Sequence, residues 1–159
     1  MSANQMLDVL TKEAFFNNFP KQYLPLIADC AELVEFKEGD YLMRENQTAD
    51  SFFLLQKGLV SLRTNMTAQG GMPIETVLAP AALGWSWLVA PYKYHFDAVA
   101  VKDIKSIVVH TPCLIPKFEQ DKVFGYEMYK LFMEVVTERL QNVRLQMIDV
   151  YAKPEQSRM

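Results

Sequence analysis

The chain has 159 residues, 50% of them apolar and 22% charged, with a net charge of −3 and a pI near 5.4. That length suits one domain with one core, large enough to fold without crosslinks. The acidic balance and the lack of a Lys/Arg cluster argue against direct nucleic-acid binding, which needs a basic face. No apolar run reaches the ~18 residues of a membrane span, and residues 1–10 carry no leader-like pattern. Two cysteines, Cys30 and Cys113, stand far apart and outside any Cys-x-x-Cys spacing. They read as structural thiols of a reducing cytoplasm, where the protein is expected to reside. Disorder is expected only at the first few residues and at 153–159.

Residues 10–30 read as helical, with Thr11 as cap and Glu13 in the first turn. Apolar Phe15, Phe19, Tyr23, Leu26 and Ile27 recur there, and Pro20 and Pro25 break the stretch into short pieces. From Leu33 the period changes to that of strands. Strands are expected at 33–36, 41–43, 51–56, 59–63 and 74–78, then as two more between 99 and 109 that break near Lys102 and Asp103. Turns fall at Gly39 and Gly58, and a hairpin tip at Gln69–Gly71. Many short strands with turns between them indicate a sandwich, roll or barrel.

The last third is helical. Pro116 is expected to open a short helix, and a longer one runs over 123–151 with one early glycine, Gly125. At 1.5 Å per residue it is roughly 40 Å long, more than a domain of this size buries along its whole length. Tyr129, Met133, Val136, Leu140, Val143, Met147 and Val150 repeat in alternating steps of four and three. This heptad stripe is expected to be the seam of a homodimer. The alternative is one wide core-facing stripe on a monomer. Phe124, Met128, Leu131, Phe132 and Val135 form a second group that faces the strands. The predicted architecture is therefore mainly β with flanking helices (α+β): helices over 10–32, a β-roll over 33–110, helices over 113–151 and a tail over 152–159.

Three glycine turns carry a resemblance. Gly39 lies in Lys-Glu-Gly-Asp, Gly58 in Gln-Lys-Gly-Leu-Val, and Gly84 in Ala-Leu-Gly-Trp-Ser-Trp-Leu, each among apolar strands, with Asp50 just before Phe-Phe-Leu-Leu. The sequence resembles the cyclic-nucleotide-binding domains of Crp/Fnr regulators and of protein-kinase regulatory subunits. Its Gly84–Asp97 segment also resembles the cassette of a stand-alone bacterial subgroup in which Gly-Trp-Ser-Trp-Leu and His-Phe-Asp occur. It implies a β-roll of the double-stranded β-helix (jelly-roll) kind with a long C-terminal dimerisation helix. It also implies a ligand cassette at Gly84, Trp85, Ser86, Trp87 and Leu88, completed by His95 and Phe96.

In the resembled family a Glu after the cassette glycine binds the ribose, an Arg pairs with the cyclic phosphate, and a Ser or Thr beside it adds a bond. Here those positions hold Trp85, His95 and Phe96. A lost charge-assisted bond to phosphate costs roughly 1.5–3 kcal/mol, and neutral imidazole lacks the two-pronged charge of Arg. Tight binding of cAMP or cGMP is therefore not expected. The aromatic run could line a pocket for another small molecule, with His95, Ser86 and Lys93 as polar handles, or it could pack the old pocket shut. A lone His among aromatics argues against haem. His110 reads as structural, and the cysteine and histidine spacings make no metal site, although Cys113 stands near His110. No nucleophile, zinc or P-loop motif is present, so no enzyme is expected. With no helix-turn-helix after the stripe, output is expected to pass to an unidentified effector protein and not to DNA. The expected role is a non-catalytic regulatory sensor. A ligand-free dimeric interaction scaffold and an atypical cyclic-nucleotide receptor are the alternatives.

Overall fold

The computed structural model describes residues 1–65 and 71–152. The tip expected at Gln69–Gly71 falls almost wholly outside them, as does the tail from 153.

The chain begins with an ordered helix, α1 (Ala3–Thr11), where loose residues were expected. Ser2 and Gln5 explain it. The Gln5 amide donates to Ser2 Oγ (3.3 Å) and the Ser2 amide to Gln5 Oε1 (2.8 Å), a reciprocal cap. Met6 and Leu10 then bury the inner face. Thr11 ends this helix instead of capping the next, its hydroxyl donating to the Leu7 carbonyl. The proline-broken stretch that follows holds two 3-10 turns, Ala14–Phe16 and Lys21–Tyr23, and a short α2 (Leu24–Ala28).

Among the described residues eight strands follow: β1 (Ala31–Phe36), β2 (Tyr41–Met43), β3 (Ser51–Lys57), β4 (Leu59–Thr64), β5 (Met72–Leu78), β6 (Ala81–Leu83), β7 (Asp97–Ala100) and β8 (Ile104–His110). They form two antiparallel four-stranded sheets, β1-β8-β3-β6 and β2-β7-β4-β5. Gly58 makes the tight β3–β4 turn at φ +106°, where an added Cβ would stand 2.5 Å from the Asp103 carbonyl oxygen, so only glycine fits.

Two helices close the described residues. In α3 (Thr111–Gln120) it is Pro112 that lies in the first turn, while Pro116, expected to open the helix, sits inside it. A proline in the first turn forfeits no internal bond, so the start moves to the first available proline. α4 spans Lys122–Ala152. Its group Phe124, Met128, Leu131 and Phe132 is buried against the roll, with Val135 packed beside it. The heptad residues Tyr129, Met133, Leu140, Val143, Met147 and Val150 are exposed and Val136 is half-buried, so this row does not form one wide core-facing stripe.

The cysteines are not thiols. Cys30 and Cys113 form a disulfide, with Cα atoms 5.6 Å apart and 83 residues of sequence separation. Strand register brings them together. Ala31 pairs with Val109, and the His110 amide donates to the Cys30 carbonyl, which sets the first turn of α3 beside the start of β1. The crosslink removes the cysteine argument for a reducing compartment. Among the described residues no helix is long and apolar enough to cross a membrane.

Candidate functional site

The cassette is built on a left-handed glycine. Gly84 has φ +84°, and an added Cβ would lie 3.1 Å from the Ser51 carbonyl oxygen, so the chain passes close against β3 before turning. The turn is a single 3-10 element, Trp85–Leu88. With three residues per turn, neighbouring side chains leave in different directions.

Trp87 goes inward and is 1% exposed. Its ring stacks on Phe52 of β3 (centroids 5.7 Å apart) and on Phe118 of α3 (6.0 Å), and meets Phe132 and Tyr129 of α4 edge-on at 5.5 and 6.0 Å. Its indole N–H meets no acceptor among the described residues. The Tyr129 hydroxyl donates to the Leu88 carbonyl at 3.2 Å, a second tie between cassette and α4. Burial raises the Tyr129 pKa, and the neighbouring Tyr92 adds to it.

Trp85 leaves on another side and is half-buried. The Arg139 guanidinium lies 5.3 Å from its ring centroid, donates to the Ala82 carbonyl (3.1 Å) and pairs with Glu75 (3.5 Å). Sequence reasoning missed Arg139. The signal for it was present: a cation continues the core-facing row of Phe132 and Val135, where an apolar residue would otherwise sit.

His95 and Phe96 do not join this cluster. Both are exposed, their rings 6.4 Å apart. The buried ring between them and the cassette is that of Tyr94, whose hydroxyl donates to the Ser51 carbonyl (2.7 Å) and accepts from the Ser51 amide (3.1 Å). Burial pushes the Tyr94 phenol up from 10.0 to about 12, against the Ser51 backbone bond and with the Asp50 charge. The fold holds the proton more tightly than the unfolded chain. The Tyr94 contribution is therefore whole below pH 10.0 and is lost as pH rises towards about 12. Tyr94→Phe should abolish that alkaline loss. It should also lower stability at neutral pH by about 1–3 kcal/mol, because it strands the buried Ser51 groups. Urea midpoints measured across pH for both proteins check this.

Asp97, beside His95 in sequence, is committed elsewhere. Its carboxylate accepts from the Glu45 amide (2.8 Å) and the Asn65 side chain (3.0 Å). His110 stands at 3.3 Å from Ser51 Oγ and 3.7 Å from Glu32. Cys113 is consumed by the disulfide and cannot join His110 at a metal. Among the described residues no group of three or more His, Cys, Asp or Glu is placed to hold a metal ion.

Comparison with known proteins matches residues 33–121 to the cyclic nucleotide-binding domain family, whose members are generally regulatory and not catalytic. A stretch of 58 residues is 34% identical to human cGMP-dependent protein kinase 2, covering 36% of this chain and 8% of the kinase. The chain thus corresponds to a small part of that relative. A solved structure from Geobacter metallireducens, assigned to the cyclic-nucleotide-binding class, has a TM-score of 0.73 at 25% identity, covering 88% of this chain and 98% of that one. A cyclic nucleotide-binding domain from Methylobacillus flagellatus has a TM-score of 0.73 at 16% identity, covering 92% and 83%. The family match runs from β1 to the junction of α3 with α4, over more than half of the chain, which therefore belongs to the cyclic nucleotide-binding domain family.

Proposed function

We propose that this chain is a non-catalytic regulatory module that binds cAMP and cGMP weakly at best, couples its cassette directly to α4, and acts as a homodimer on a partner protein. The observation that carries the reading is Trp87. One side chain of the cassette touches β3, α3 and α4 together, which supports a direct mechanical link between cassette and helix. The chemistry around it supports weak nucleotide binding. The indole of Trp85 replaces a carboxylate and faces Arg139, and exposed His95 replaces the phosphate-binding Arg. Two lost charge-assisted bonds amount to roughly 3–6 kcal/mol, a factor of about 100 to 20,000 in affinity. Titration calorimetry with cAMP and cGMP should give dissociation constants weaker than about 10 µM, and a tighter value for either overturns the reading. A ligand-free dimeric scaffold is the second reading, favoured by the same buried indole, which is packed shut among Phe52, Phe118 and Phe132.

The homodimer rests on the uncovered stripe of α4. Leu140 and Met147 are 48% and 51% exposed although both are apolar, a pattern that suits a helix seam. Leu140→Glu with Met147→Glu should convert a dimer to a monomer in sedimentation, leaving the circular dichroism of the roll intact. A wild-type chain that sediments as a monomer would remove the homodimer from the proposal.

A further inference from the structure

A cleft of about 460 Å³ lies between turn Ala14–Phe16, the β5–β6 corner and α4, away from the exposed rings of His95 and Phe96. Its size falls within the range of ligand pockets, roughly 300–1,000 Å³. The floor is apolar: Phe15, Leu54, Leu55, Ala82 and Val135 line it, and Leu54, Leu55 and Ala82 are buried. The rim is charged: Glu13, Glu75, Glu138 and Arg139 stand around it. Arg139 and Glu75 neutralise each other at 3.5 Å, Arg139 Nη2 also donates to the Ala82 carbonyl, and the guanidinium carbon lies 5.3 Å from the Trp85 ring centroid. Among the described residues Glu13 accepts only from the neutral Gln56 amide, at 2.9 Å. Neither Glu13 nor Glu138 stands in an ion pair among the described residues.

We infer that this cleft binds a small organic cation, a primary ammonium carried on an apolar body. The apolar floor takes the body, and the two uncompensated carboxylates set the sign of the head group. A concave wall with an apolar floor focuses their field on the opening. An anion entering the same space would meet both carboxylates, and Arg139, the one cation among the described residues lining it, is already paired with Glu75 and bonded to the Ala82 carbonyl. The site is therefore opposite in charge preference to a phosphate cradle, and it stands whether or not a cyclic nucleotide binds at the cassette. Val135 and Arg139 belong to α4, so the occupant would rest directly on the helix that carries the seam stripe.

The test is titration calorimetry of the full chain with phenethylamine, phenethyl alcohol and phenylacetate, three molecules of one shape and three charges. Phenethylamine should bind, more weakly as salt is raised, and phenylacetate should not. Glu13→Gln with Glu138→Gln, both conservative and the second on an exposed side chain, should weaken amine binding about tenfold while leaving the melting temperature of the free protein unchanged. Three results overturn the inference: no heat with the amine, equal binding of the alcohol, or an amine affinity unaltered in the double variant.

Discussion

Trp87→Ala should destabilise the chain by about 3–5 kcal/mol, the cost of deleting a large aromatic ring from a core that cannot close over the gap. Collapse is blocked because the walls of the gap belong to three elements. Phe52 is fixed in the sheet, Phe118 in α3, and Phe132 in α4, and each packs on further rings: Phe118 on Phe124, Phe132 on Phe15. The variant should therefore lose the docking of α4 before it loses the roll. Urea unfolding will show a lower midpoint, and hydrogen exchange will show the first half of α4 losing protection while β3 and β8 keep theirs. Trp87→Phe should cost less than its size change implies. It keeps the stacked contact with Phe52 and removes an indole N–H that has no acceptor among the described residues, relieving a buried unmet donor. A loss below about 1 kcal/mol for the Ala variant would mean that Trp87 does not couple the cassette to the helix.

The strands of the roll were legible because their apolar positions alternate between polar turns, and the two packed stretches Phe52–Leu55 and Ile107–Val109 stand out by β-branched or aromatic content. β6 was not legible. Ala-Ala-Leu carries no periodicity in three residues and exists because β3 offers it an edge at Phe53–Leu55. Within residues 84–88 the sequence could not sort the side chains. Trp85 and Trp87 look alike on paper, yet a 3-10 turn sends one to Arg139 and the other into the core. Tyr94 and His95 part in the same way: the buried phenol takes the inner position and the imidazole the outer one. α4 was readable to its last turns because its two faces differ, buried Phe124, Met128 and Phe132 against an exposed heptad row. The cysteine pairing lay beyond reach, since it depends on a β1–β8 register that no local pattern specifies.

Removing the crosslink, by reductant or by Cys30→Ser with Cys113→Ser, should lower stability by about 2–5 kcal/mol without changing the fold. The stabilisation comes from the unfolded chain, whose freedom is cut by a closure spanning 83 residues. The native junction has other ties. Lys117 Nζ donates to the Leu26 carbonyl (2.8 Å) and pairs with Asp29 (3.3 Å), and the β1–β8 ladder continues up to Ala31 and Val109. α3 should accordingly stay in place after reduction, with an unchanged circular dichroism spectrum. The urea midpoint should fall, and the dependence on urea should steepen as the freed unfolded chain exposes more surface. Wild type in reductant and the double serine variant should coincide, because both lack the same constraint. If reductant leaves the wild-type midpoint where it was, the two sulfurs are thiols in solution, and the reading of Cys30 and Cys113 as residues of a reducing compartment is restored.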